Sequence, residues 1–347
     1  MKTNILIANS LEAIVETIEE LLSPKNSIFI IMDENSKKYC FPLFEKAIRF
    51  NYSVIVIKQG EQNKSFESLQ YVLKEMEESK ADKQSIIINL GGGVITDLGG
   101  FCASIYKRGI KYINIPTTVI AQTDAAVGGK TGIDFLGFKN NVGSFHAAEK
   151  TIIYKDFLKT LPNEMMHSSF SEIFKYALIG DRDLFKKMTE MQLENFKISN
   201  EIIDSSLKIK AKYISIDPYD KEERKVLNFG HTVGHAIESA VNENGRTMHH
   251  GIAVALGLMV ELDLSKKIMG LPEKDFQAAM KFLSYYKEFI PQEITRNRIL
   301  EIMKHDKKNK EGQILLILIE AIASPKYDVV VEEQIISHSI EEILAIN

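Results

Sequence analysis

The chain has 347 residues, more than one ordinary hydrophobic core accommodates, so two domains are expected. Apolar residues make up 45% and charged residues 26%, the balance of a soluble globular protein, and a formal net charge of -4 with interspersed signs leaves no basic footprint for nucleic acid. No run of about 18 uncharged apolar residues occurs, so no membrane span is expected.

In chain order, the first part alternates short β-rich runs with helical patterns. The opening MKTNILIANSLEAIVETIEELL carries acids through its apolar part and lacks the basic head and cleavage site of a signal peptide, so the cytoplasm is the expected compartment. ILIAN (5–9), SIFIIMD (27–33), SVIVIK (53–58), SIIINL (85–90), YINIP (112–116) and TIIYKD (151–156) read as strands. LEAIVETIEELL and SFESLQYVLKEMEE between them carry the 3.6-residue apolar period of helices. Strands alternating with helices predict βαβ units and a mostly parallel, Rossmann-like sheet over residues 1–163. From residue 164 to 347 the texture predicts an all-helical domain, with helices over 164–180, 182–196, 199–214, 226–243, 250–268, 273–286 and 297–305. The run QILLILIEAIA (313–323) is ambiguous between strand and helix. Cys40 and Cys102 lie in apolar surroundings outside any CxxC pair and read as buried core thiols.

Within the first domain, SIIINLGGGVITDLGG joins a strand to a helix through three glycines, with Asp97 in the early turns. Glycine lets a backbone approach a pyrophosphate, and the helix N-terminus that follows offers free amide donors. The spacing is GGGxxxD and not GxGxxG, so a tight turn without a ligand is an equal reading of this stretch alone. Other strand ends tip the balance toward a dinucleotide. Asp33 and Asn35 follow one strand, Glu61 and Lys64 a second, and Thr117 and Thr118 a third. Lys130, Lys139 and Asn140 lie in glycine-rich, turn-prone sequence, and Arg108 precedes Gly109, so these are candidates for holding phosphate or carboxylate. Any one of these lysines read singly is an ordinary surface residue.

In the second domain, His231 and His235 stand one turn apart in LNFGHTVGHAIE, a spacing equally suited to chelation and to two half-buried histidines. His250 opens the next apolar helix, and Glu172 offers a carboxylate that completes an O/N2 set suited to Zn2+ or Co2+ as a Lewis acid. Lys175, three residues after Glu172, is either a helix-face ion-pair partner or part of the same site. His146, His167 and His305 read as structural or surface residues. A nicotinamide-type cradle beside an O/N metal site describes a metal-dependent redox enzyme acting on a hydroxyl.

Taken together, GEQNKS (60–65), GGGVITDLGGF (91–101), KRGI (107–110), IPTTVIAQTDAAVGGKTGID (115–134), GFKNNVGSF (137–145), FLKTLP (157–162), SEIFKYALIGD (171–181), RKVLNFGHTVGHAIE (224–238), HHGIAVALGL (249–258) and HDKKN (305–309) closely resemble the 3-dehydroquinate synthase family, within the sugar phosphate cyclases. The resemblance implies an N-terminal NAD-binding α/β domain and a C-terminal helical domain with the active site between them. It implies metal ligands at Glu172, His231 and His250, and NAD contacts from Asp33, Asn35, Glu61, Lys64, Gly92, Gly93, Asp97, Thr117, Thr118, Lys130, Lys139, Phe157 and Thr160. Substrate contacts would come from Asp124, Lys130, Lys139, Asn140, Lys175, Lys210, Arg224, Asn228 and His235, with one of Lys307 and Lys308. Arg108 would reach the partner subunit's site, which implies a homodimer. The implied reaction turns 3-deoxy-arabino-heptulosonate 7-phosphate, an anionic sugar phosphate, into 3-dehydroquinate and phosphate. It proceeds by transient oxidation by NAD, phosphate elimination, re-reduction and aldol closure.

Three departures stand out. Ile252 replaces the glutamate common in HGEAVA, Ser169 and Ser171 precede the ligand glutamate, and Glu222-Glu223 replaces a frequent Gly-Leu pair. None removes an expected ligand. The nearest rival is another cyclase, making 2-deoxy-scyllo-inosose or a valiolone. A metal-dependent polyol dehydrogenase would lack the dense cationic set and would accumulate NADH. A pseudoenzyme that scaffolds a partner is weaker, since no expected ligand is missing.

Overall fold

The computed structural model describes residues 4–136, 138–191, 197–304 and 313–345. His305, Lys307 and Lys308 lie outside the described residues. Two compact units divide the chain, Met1–Leu161 and Pro162–Asn347. No helix among the described residues is long and apolar enough to cross a membrane.

The first unit contains β1 (Ile5–Ile7), β2 (Ile28–Asp33), β3 (Ser53–Ile57), β4 (Ile86–Gly91), β5 (Lys111–Pro116), β6 (Lys130–Phe135), β7 (Phe138–Phe145) and β8 (Lys150–Ile153). Six of them form one parallel sheet in the order β1-β8-β5-β4-β2-β3. β4 is buried along its whole length and β2 nearly so, which is why they read as unbroken apolar runs and not as alternation. Side chains alternate between two cores, with Phe29 and Ile31 on one face and Ile28, Ile30 and Met32 on the other. The chain runs outward from β2 to β3 and then returns to β4 on the other side of β2. That reversal makes the C-terminal ends of β2 and β4 the topological switch point where open α/β sheets bind ligands.

β6 and β7 form an antiparallel hairpin where the glycine-rich sequence predicts turns. Glycine hides the strand signal here, but it also permits the pairing. A Cβ on Gly132 would lie 2.6 Å from the Val142 carbonyl oxygen.

Among its described residues the second unit is helical apart from one antiparallel hairpin, β9 (Leu315–Ala321) with β10 (Ser324–Val330). The ambiguous run 313–323 is thus largely strand; five consecutive buried residues in β9 erase the alternation that would have marked it. The helix His250–Leu264 is central, with every residue from Gly251 to Leu264 buried. The expected helix 226–243 starts late. Glu223–Asn228 is a 3₁₀ turn, Gly230 adopts the left-handed conformation (φ 78°), and the helix proper is His231–Glu243. Only glycine takes that φ without cost, and it breaks the helical period.

Candidate active site

Three helices of the second unit meet through small residues. A Cβ at Gly257 would lie 2.0 Å from the Gly230 carbonyl oxygen, and one at Gly251 would lie 1.9 Å from that of Ser168. Ser171 donates its hydroxyl to the Gly251 carbonyl (2.6 Å), so one of the departing serines makes the crossing between the helices Asn163–Gly180 and His250–Leu264. The other, Ser169, bonds back to Met165, and Ile252 is core. These close approaches bring Glu172, His231 and His250 together from residues far apart in the chain.

Glu172 is 1% exposed. Its Oε2 accepts from the Lys175 ammonium at 2.6 Å, and Lys175 is equally buried. Lys175 is therefore both ion-pair partner and part of the cluster, which the three-residue spacing left open. Oε1 has no hydrogen bond, yet the Nε2 atoms of His231 and His250 each stand 3.4 Å from it. His231 directs Nδ1 at the Phe229 carbonyl oxygen (3.1 Å), and His250 directs Nδ1 at Glu238 (3.3 Å). Bonds at Nδ1 orient each ring and leave Nε2 facing Glu172. A buried carboxylate oxygen without a hydrogen bond, facing two imidazole nitrogens, is a donor set suited to a divalent cation.

Burial raises the Glu172 carboxyl, but Lys175 and then His231 outweigh it and hold it well below the usual carboxylate range. Burial and the Lys175 charge push His231 down. Burial also works against a charge on His250, but the carboxylates of Glu172 and Glu238 push it up to about 9. His235, expected on the substrate side, presents a nitrogen within 4.8 Å of those of His231 and His250. Glu238 went unflagged in the sequence, although it stands seven residues after His231 on one helical face.

Lys210 (5% exposed) and Arg224 (2%) are buried cations of the same unit. The backbone N–H groups of Glu222 and Arg224 both donate to Asp217 Oδ2, at 2.7 and 3.3 Å, and this organises the DPYDKEER loop. Arg224 also donates to the Pro218 carbonyl (2.9 Å), and Asn228 to that of Lys225 (3.1 Å).

In the first unit, Gly92 caps the helix Gly93–Ile105 at the end of β4. A Cβ on Gly92 would stand 3.0 Å from Thr118 Cγ2, and one on Gly93 3.5 Å from Ala125 in the turn that carries Asp124. Thr117 donates its N–H to the Gly91 carbonyl (2.9 Å). Asp33 ends β2 and caps the next helix through Ser36 N–H (2.7 Å), with Asn35 exposed on that helix. Lys64, 3% exposed, donates to Asp97 (2.5 Å) and to Asn140, with exposed Glu61 at 3.8 Å. Burial works against the Lys64 charge, but Asp97 and Glu61 raise it above the ordinary lysine value. Thr160 bonds to the Phe157 carbonyl (2.7 Å) and lies 3.6 Å from Cys40 Sγ; Phe157 itself is fully buried, in the core and not at a ligand surface. Both cysteines are free and buried.

Not all expected residues converge. The hairpin register pairs Lys130 with Phe145, which puts it at the opposite end from Lys139 and Asn140 near the β6–β7 connection. Arg108 lies before β5, at the far end of the sheet from Gly92.

Residues 54–168 match the family described as 3-dehydroquinate synthase N-terminal, and residues 169–309 match 3-dehydroquinate synthase C-terminal. A 3-dehydroquinate synthase of Parabacteroides distasonis is 38% identical over 320 residues, 91% of each chain. The chain belongs to the 3-dehydroquinate synthase family. The fold is shared more widely than the family. A 2-epi-5-epi-valiolone synthase from Streptomyces hygroscopicus, solved with NAD+ and Zn2+, superposes with a TM-score of 0.87 at 22% identity, over 99% of this chain and 97% of that one. A 2-deoxy-scyllo-inosose synthase solved with carbaglucose-6-phosphate, NAD+ and Co2+ gives 0.83 at 22% identity, over 99% and 96%.

Proposed function

We propose that this member of the 3-dehydroquinate synthase family converts 3-deoxy-arabino-heptulosonate 7-phosphate to 3-dehydroquinate and phosphate. The observation that carries the reading is Glu172 Oε1, buried without a hydrogen bond between two imidazole Nε2 atoms at 3.4 Å. Glu172, His231 and His250 would hold one divalent cation, Zn2+ or Co2+, with His235 close by. Gly92, Gly93, Asp97, Lys64, Thr117 and Thr118 would hold NAD, in a cradle where a Cβ at Gly92 would crowd Thr118. The solved relatives with NAD+ and a divalent cation support this. When bound, NAD exchanges a hydride with the sugar carbon and the cation polarises the hydroxyl there.

The chain's own residues supply the rest. Lys175 holds Glu172 Oε2, so that Oε1 is the oxygen presented. Glu238 orients His250, and Phe229 O orients His231. Buried Lys210 and Arg224 bring preorganised positive charge toward the substrate carboxylate, with Asn228 beside Arg224 in the same turn. Asn140, Lys175 and His235 would serve the phosphate, and Asp124 a substrate hydroxyl.

A homodimer belongs to the same proposal. Lys107 (φ 46°), Arg108 (φ 63°) and Gly109 (φ 105°) form a left-handed run that holds an exposed Arg108 away from its own cradle, as a residue serving a partner's site would be. Phosphate release from the heptulosonate with NAD and Zn2+ or Co2+, with the product identified by mass, tests the reaction. No phosphate, or a product other than dehydroquinate, would refute it. Replacing His231 by Ala should abolish release with circular dichroism unchanged.

A further inference from the structure

Glu261 lies on the helix His250–Leu264, eleven residues and about three turns beyond His250, so it projects from the same face. It is 0% exposed, and burial of a carboxylate is costly unless a partner compensates it. One partner stands at the N-terminus of the helix that bears His231. Glu261 Oε2 accepts the backbone N–H of Gly230 at 2.7 Å.

That N–H belongs to the peptide unit between Phe229 and Gly230. The carbonyl of the same unit lies 3.1 Å from His231 Nδ1. One rigid plane thus carries a carboxylate on its N–H side and the imidazole on its C=O side. The helix His231–Glu243 has no side-chain cap of its own, because its N-cap is Gly230. A carboxylate borrowed from the neighbouring helix meets a free amide there and suits the positive end of the helix. Polarisation along the chain Glu261···H–N–C=O···Nδ1 strengthens the bond that turns Nε2 toward Glu172.

We infer that Glu261 is a positioning residue for the metal site, setting the rotation of the His231 ring through the Phe229–Gly230 peptide. The inference rests on the metal reading above. It assigns to a residue without contact to cation or substrate a share of the affinity for the cation.

The test titrates the metal-free full-length chain with Co2+ alone, read by the visible absorption of the bound ion and by calorimetry, with melting temperature recorded for each variant. Wild type should take up one equivalent and His231→Ala none. Glu261→Gln keeps an acceptor oxygen and should bind within about twofold of wild type, whereas Glu261→Leu should bind at least about tenfold more weakly, the size of effect seen for residues that orient ligands. Glu261→Asp, too short to reach Gly230, should weaken binding similarly and carries the test should the Leu variant not fold. A purely structural role would lower melting temperature and leave the affinity of the folded protein unchanged. Unchanged affinity in both Leu and Asp variants overturns the inference, as does a Gln variant as weak as Leu. Failure of wild type to bind Co2+ removes the metal reading itself, and the inference with it.

Discussion

Lys175 and Glu172 show how much one ion pair carries when both partners are 1% exposed. Replacing Lys175 by Met leaves a buried carboxylate without its cation, at a cost of about 3 kcal/mol in the metal-free protein. Saturating Zn2+ would give that carboxylate a new partner, so the loss measured by urea unfolding should shrink with metal; an identical loss in both conditions would contradict the shared site. His250 sets the pH dependence. Its folded value of about 9 lies above the ordinary 6.5, so its proton stabilises the metal-free protein fully below about 6.5, and that contribution is lost as pH rises through about 9. Metal binding must displace the proton, so Co2+ affinity should climb up to about tenfold per unit from pH 7 and level off near 9. Titration calorimetry in buffers of different ionisation enthalpy should count about one proton released, and a flat affinity profile would argue against His250 as ligand. Ligand types and spacings were legible in the strings around Glu172, His231 and His250. The bonds at Nδ1 were not, since Glu238 and Phe229 O are recognised only once the rings have directions.

The crossings of helices decide whether those side chains meet. Gly251→Ala sets a Cβ 1.9 Å from the Ser168 carbonyl oxygen and should push apart the helices that bear His250 and Glu172. Overpacking of this kind costs about 1–3 kcal/mol, and both melting temperature and Co2+ affinity should fall. Gly245→Ala is the control. Its φ is +74° but nothing lies within 4 Å, so strain of about 1–2 kcal/mol should appear with metal affinity unchanged. Equal loss of affinity in both variants would show that the crossing has no special role. Unbroken β-branched apolar runs, such as SIIINL and SIFIIMD, were legible as strands. The β6–β7 hairpin was not, because glycines at 132 and 143 dilute β-propensity while permitting the close pairing that forms it.

Across the whole chain, the proposed cofactor and metal sites draw on different units, Met1–Leu161 and Pro162–Asn347. Hydrogen exchange on the full protein should show the difference. Zn2+ should protect the helices Asn163–Gly180, His231–Glu243 and His250–Leu264 most strongly. NAD should protect β4 and the first turns of Gly93–Ile105 most strongly. At 100 times its dissociation constant each ligand supplies about 2.7 kcal/mol to the state that binds it. Protection by Zn2+ confined to the sheet would refute the assignment. The order of strand and helix patterns, the glycine turn after β4 and the ligand residue types are local in the chain, so the amino-acid order alone specified the fold class, the family and the three metal-ligand candidates. Packing decided that His235 joins the imidazoles, that Lys64 ties Asp97 to Asn140, that Lys130 stands apart from Asn140, and that Glu261 caps a helix it does not belong to. Each of these depends on which segments pack together, not on the spacing of residues along the chain, and at the crossings that join the metal-ligand helices close-packed glycines decide it.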